Sequence, residues 1–123
     1  MAVEVRWDDV EQAIIRIDLL GRWKWDEFYT ALDGVRPLMM NKTTVVHLIA
    51  VVENATYVPA NPLFHASNFL RSAPSNLGQM IIVGANQFAA PFLPIASRFY
   101  PQVVSKIQFA TTIDEAKTML QQT

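Results

Sequence analysis

Cysteine is absent from the 123-residue sequence. Disulfide frameworks, zinc–thiolate sites, iron–sulfur clusters and thiol nucleophiles are therefore excluded. An excess of either charge is absent as well: 10 Lys and Arg face 11 Asp and Glu, a formal net charge of −1. Neutralising phosphates needs a basic surface, so no nucleic-acid partner is expected. Long apolar runs are missing too. The longest, Val45 to Val52, is interrupted by His47 and falls well short of the ~20 residues of a membrane-spanning helix. Met1 to Asp9 carries Glu4, Arg6, Asp8 and Asp9 and lacks the basic region, apolar run and cleavage site of a secretion signal. The expectation is a soluble cytoplasmic protein. What is present suits a folded core: 51% of residues are apolar and 17% charged. The length fits a single domain over residues 1–123, large enough to need no metal or disulfide staple.

The chain alternates strand and helix patterns. Val3, Val5 and Trp7 interleave with Glu4 and Arg6, the period of a half-buried strand. Asp8-Asp9 is a turn, and Ile14 to Leu19 a second strand, which makes the pair an antiparallel hairpin. Trp25, Phe28, Leu32, Val35 and Met39 then mark an amphipathic helix from Trp25 to Met40, with Asp26 and Glu27 in its first turn. Pro37 is expected to end its regular part early. Thr43 to Val52 is apolar almost throughout and β-branched, as in a strand covered on both faces. Asn61 is expected to cap a short helix, Leu63 to Arg71, with Pro62 at its first position. Gln79 to Val83 is a fourth strand. Gln87 to Tyr100 is a third helix, capped by Asn86 and stopped by Pro101, with Pro94 distorting it or shifting its start. Ile107 to Ala110 is a fifth strand. Thr112 and Glu115 form a capping box for a last helix reaching about Gln121. The fold class is α/β, in the order β-β-α-β-α-β-α-β-α: one mixed, mostly parallel sheet of five strands with an N-terminal antiparallel hairpin and four helices.

Three segments carry a family likeness: Gly21 to Tyr29 entering the first helix, Val83-Gly84-Ala85-Asn86 leaving the fourth strand, and Phe99-Tyr100-Pro101 closing the third helix. With the hairpin-first order of elements they resemble the STAS fold, and within it the SpoIIAA-like family of small bacterial proteins. The resemblance implies a single α/β domain with no known enzyme activity. The expectation drawn beside it is a non-enzymatic STAS-like domain, without cofactor, that works through protein contacts, including a second copy of itself. The fold also resembles the CRAL-TRIO lipid-transfer domains, which implies the alternative: a carrier of a small apolar or lipid-like ligand between the second and third helices. Two features depart from the pattern. STAS regulators carry an Asp-Ser pair after the third strand, where phosphorylation adds charge and breaks partner binding. Here the stretch reads Asn54-Ala55-Thr56-Tyr57, and Thr56, the nearest hydroxyl, is a poor phosphorylation candidate. Lys24 stands where a capping hydroxyl is expected and cannot accept the free N–H groups of the helix.

No set of residues assembles into a catalytic signature. His47 is either a base or ligand in a pocket or, without partner residues, a strand-face histidine bonded to a neighbour. His65 follows eighteen positions later, and no carboxylate pattern supports a metal site. The acidic residues come in adjacent pairs, Asp8-Asp9, Asp26-Glu27 and Asp114-Glu115; these suit turn, dipole and cap roles. Gly84-Ala85-Asn86 lacks the glycines and lysine of a phosphate loop, and no serine sits in a Gly-x-Ser-x-Gly elbow. The unusual segment is Phe88 to Tyr100. Phe88, Phe92, Ile95 and Phe99 make one stripe at helical spacing, with Leu93 on a second stripe beside it. One stripe serves the sheet; two leave apolar surface to be covered. The expected ligand or partner surface comprises Tyr57, Leu63, Phe64, Phe88, Phe92, Leu93, Ile95 and Phe99, on the loop Glu53 to Pro62 and the two helices after it.

Overall fold

The computed structural model describes residues 2–9, 11–52, 54–55, 57–85 and 90–121. The elements run β1 (Val3–Trp7), β2 (Ile14–Leu19), α1 (Trp25–Met40), β3 (Val46–Val51), α2 (Pro62–Ser72), β4 (Leu77–Val83), a 3-10 turn (Ala90–Phe92), α3 (Leu93–Phe99), α4 (Pro101–Lys106), β5 (Ile107–Ala110) and α5 (Ile113–Gln121). The strands form one five-stranded sheet in the order β1-β2-β3-β4-β5. β1 and β2 are antiparallel, with Val5 opposite Ile17, and every other neighbouring pair is parallel. The expected mixed sheet with its opening hairpin is the architecture observed.

The hairpin turn is closed by one carboxylate. Asp9 Oδ1 accepts the backbone N–H groups of Ala13 and Ile14, each at 3.0 Å. The two faces of the sheet have different covers, as strand alternation requires. On one face Ile15, Ile17, Leu48, Ala50, Met80 and Ile107 pack with Phe28, Leu32, Val35 and Met39 of α1, Phe69 of α2 and Val103 of α4. On the other, Ile49, Val51, Ile81, Val83 and Ala110 pack with Ala116 and Leu120 of α5. β3 thus contributes to both cores, which explains its unbroken apolar run. α5 covers β3, β4 and β5. The same face of the hairpin carries instead Asp18, held by Arg6 at 2.9 Å and Arg16 at 3.0 Å.

Four local expectations are corrected. Pro37 does not end α1; the helix continues to Met40, and the Asn41 N–H still reaches the Pro37 carbonyl at 3.1 Å. Pro37 and Asp33, the residue whose carbonyl loses its donor, are both exposed, so that carbonyl is not left buried without a partner. The third strand begins at Val46 and not Thr43. The Asn76 amide takes the carbonyls of Met39 and Thr44, each at 3.0 Å, and holds the preceding residues as a loop. Asn61 provides no side-chain cap; it lies in the left-handed region at φ 63°, and only its carbonyl enters the helix, accepting from His65 N–H at 3.2 Å. The third helix is two, so the described residues hold five α-helices and not four. Pro101 opens α4 where it was expected to stop a helix, and Pro94 marks the first turn of α3. The expected start at Gln87 and the Asn86 cap lie outside the described residues.

Thr112 does cap α5, its hydroxyl accepting Glu115 N–H at 3.1 Å, while the Glu115 carboxylate turns to Thr111 Oγ1 at 2.7 Å. At Lys24 the backbone N–H donates to Glu27 Oε1 at 3.0 Å, so the acid in the first turn supplies the reach-back bond.

Candidate functional site

The helices on the first face do not fill the space above the sheet. A cavity of about 230 Å³ lies between them. Its floor is Ala50, Met80, Ile82, Ile107 and Phe109 from β3, β4 and β5, with Leu19, Val52 and Ala85 at or just past the carboxyl ends of β2, β3 and β4. Trp23, Trp25 and Phe28 form the wall where the chain enters α1. Leu63, Ala66 and Phe69 of α2 form the next, and Ala96 and Ser97 of α3 with Val103 and Val104 of α4 close the far side. The Ser97 hydroxyl is the one polar side-chain group among these residues, apart from the two indole N–H groups.

The aromatic wall is self-supporting. Trp23 meets Trp25 edge to face at 4.8 Å, and Trp25 meets Phe28 the same way at 5.5 Å. Trp25 Nε1 donates to the Ala60 carbonyl at 2.7 Å, tying the start of α1 to the loop before α2. Trp23 is only 2% exposed, yet its Nε1 finds no acceptor among the described residues. A buried donor without a partner costs on the order of 1–3 kcal/mol.

Behind this wall lies a polar chain that the sequence did not announce. Arg71 donates to Asn68 Oδ1 at 3.2 Å, which turns the Asn68 amide to donate to Tyr29 Oη at 3.1 Å. Tyr29 Oη and His65 Nδ1 then share a hydrogen bond of 2.6 Å. The Trp25 indole stacks on the His65 ring, 4.3 Å between centroids. Burial holds the His65 pKa below the ordinary histidine value. Residues 36 and 39 positions apart meet here, a pairing with no periodic signal along the chain.

The expected surface residues scatter. Leu63 and Phe92 line the cavity. Tyr57 is half-buried, its ring 4.4 Å from the Arg22 guanidinium. Phe64 (52% exposed), Ile95 (47%) and Phe99 (65%) face solvent. Phe88, Thr56 and the Leu93 side chain lie outside the described residues. His47 does not line the cavity: it sits between Val46 and Leu48, whose side chains enter the helix-covered core, and its Nδ1 accepts Gln79 N–H at 2.9 Å. The two histidines therefore do not meet. Burial, and then the Lys106 charge, lower the His47 pKa. Among the described residues no three His, Asp or Glu gather as metal ligands, and no helix is long and apolar enough to cross a membrane. The residues that sequence reasoning missed are the small ones. Ala50, Ala66, Ala85 and Ala96 make the cavity by not filling it.

No protein-family model matches the chain, and comparison with curated proteins returns no match.

Proposed function

We propose that this chain is a non-enzymatic binding protein of STAS-like fold whose cavity takes one small apolar molecule. The observation that carries this reading is the cavity itself. The walls are almost wholly apolar, so water inside finds few of the two to four polar partners it needs. An apolar guest displaces that water favourably. A cavity of 150 Å³ accepts benzene, so this one scales to roughly nine heavy atoms, a fused bicyclic ring or a short acyl chain. The described walls carry no titratable side chain, which favours binding over catalysis, and a cytoplasmic location belongs to the same reading.

A second reading is regulation through protein contacts, with a second copy of the chain among the partners. It draws on the exposed Phe64, Ile95 and Phe99. Native mass spectrometry of protein from its own host, at two concentrations, separates the two. A monomer carrying a guest on the order of 130 Da supports the cavity reading; a bare, concentration-dependent dimer supports the other. Saturation with naphthalene or 2-naphthol at 100 times Kd is expected to add about 2.7 kcal/mol, a rise in Tm of roughly 10 °C. Ala66→Leu fills the space and Phe92→Asp charges its rim, and both are expected to abolish that rise. An unchanged Tm in the unsubstituted protein rejects the cavity reading.

A further inference from the structure

From Asn54 to Ile113 the sequence contains no Asp or Glu, yet it holds Arg71, Arg98 and Lys106. All 11 acidic residues lie elsewhere, beside the other seven basic ones. The net charge of −1 thus divides into +3 on this stretch and −4 on the rest. The stretch folds into α2, β4, α3, α4 and β5, which supply three helical walls and part of the floor of the cavity. Large apolar side chains stand exposed there: Phe64 on α2, Phe92 and Ile95 at and after the 3-10 turn, Phe99 at the end of α3 and Val104 on α4. Phe92 and Val104 also line the cavity, so the exposed patch is continuous with the rim of the site. Phe64 and Arg71 are seven residues apart and share one face of α2. Arg98 stands over the Phe99 ring at 5.4 Å. Lys106 is held away from the rim at the amino end of β4, its Nζ donating to the Leu77 and Gly78 carbonyls at 3.3 and 3.4 Å. Arg71 and Arg98 are not paired with a carboxylate among the described residues, where the ion pairs of Arg and Lys belong to Arg6, Arg16 and Lys117.

We infer that this face docks on an anionic lipid surface. Exposed phenylalanines flanked by arginines outside any ion pair among the described residues, on a stretch of chain without Asp or Glu, match the interfacial chemistry of such a surface. A second copy fits it poorly: a two-fold contact lays this positive face against itself. Docking sets the cavity rim against the acyl region, where an apolar guest partitions. The docking rests on the surface alone and stands or falls separately from the cavity.

The test is co-sedimentation of the full chain with vesicles of phosphatidylcholine, or of phosphatidylcholine and phosphatidylglycerol at 7:3, in low and high salt. Light scattering of the same samples without lipid reads self-association. Arg98 and Phe99 do not line the cavity, and an unchanged far-UV circular dichroism spectrum and Tm verify that their variants fold. Binding to the anionic vesicles that weakens in salt, falls about fivefold in Arg98→Gln and at least tenfold in Phe99→Ser is the expected result. Absence of vesicle binding overturns the inference. So does equal, salt-insensitive binding to both vesicles. A lipid-free dimer that Phe99→Ser dissolves overturns it in favour of a second copy, and salt-sensitive capture by an acidic protein without vesicle binding does so in favour of that partner.

Discussion

Gly78 shows how one residue type can be fixed by its neighbour. A Cβ there would strike the His47 ring and the Val45 side chain, and the His47 ring must stay where it is to accept Gln79 N–H. Gly78→Ala is expected to cost about 1–3 kcal/mol in urea unfolding, with the Val45→Ala background recovering part of the loss. The two histidines also set a pH dependence. Both are held below their value of 6.5, so between the folded and unfolded values the unfolded chain binds more protons. Stability is then fully present above about 6.5 and falls as pH drops through the unfolded value toward the folded ones. The expected outcome is a Tm that declines on acidification from pH 7 to 5, with a shallower decline in His47→Gln. A Tm that rises over that range rejects it.

Elements were legible where one signal ruled. Ile14–Leu19 and Ile107–Ala110 match their sequence limits, because branched residues bounded by turns have few alternatives. Trp25–Met40 does as well, because five apolar positions at helical spacing outweigh one exposed proline. Prolines were misread where their meaning is positional. Pro101 blocks a preceding helix and opens a following one with equal ease, since its fixed φ and missing N–H cost nothing in a first turn. The site was least legible. Phenylalanines announce themselves, yet only Phe92 of the described stripe reaches the cavity, whereas the four alanines that create the space carry no pattern. The Tyr29–His65 bond joins two helices far apart in sequence, and no spacing rule reaches that distance. The cap that was read correctly offers a measure of α5: Thr112→Ala is expected to cost about 1 kcal/mol in chemical denaturation, and Thr112→Asp to cost little.

At the scale of the whole molecule, each strand pairs with the strands before and after it in the chain. No strand waits for a distant partner, because β2 meets β1, β3 meets β2, and so on to β5. A chain emerging from the ribosome can therefore lay down its sheet in the order of synthesis, each new strand finding its template already in place. The edge open for addition during that process is always the newest strand, and α5, the last element, closes the second face over β3, β4 and β5 once they exist. The order of pairing thus lets assembly follow translation, with the nine-residue α5 closing the second face after the three strands it covers.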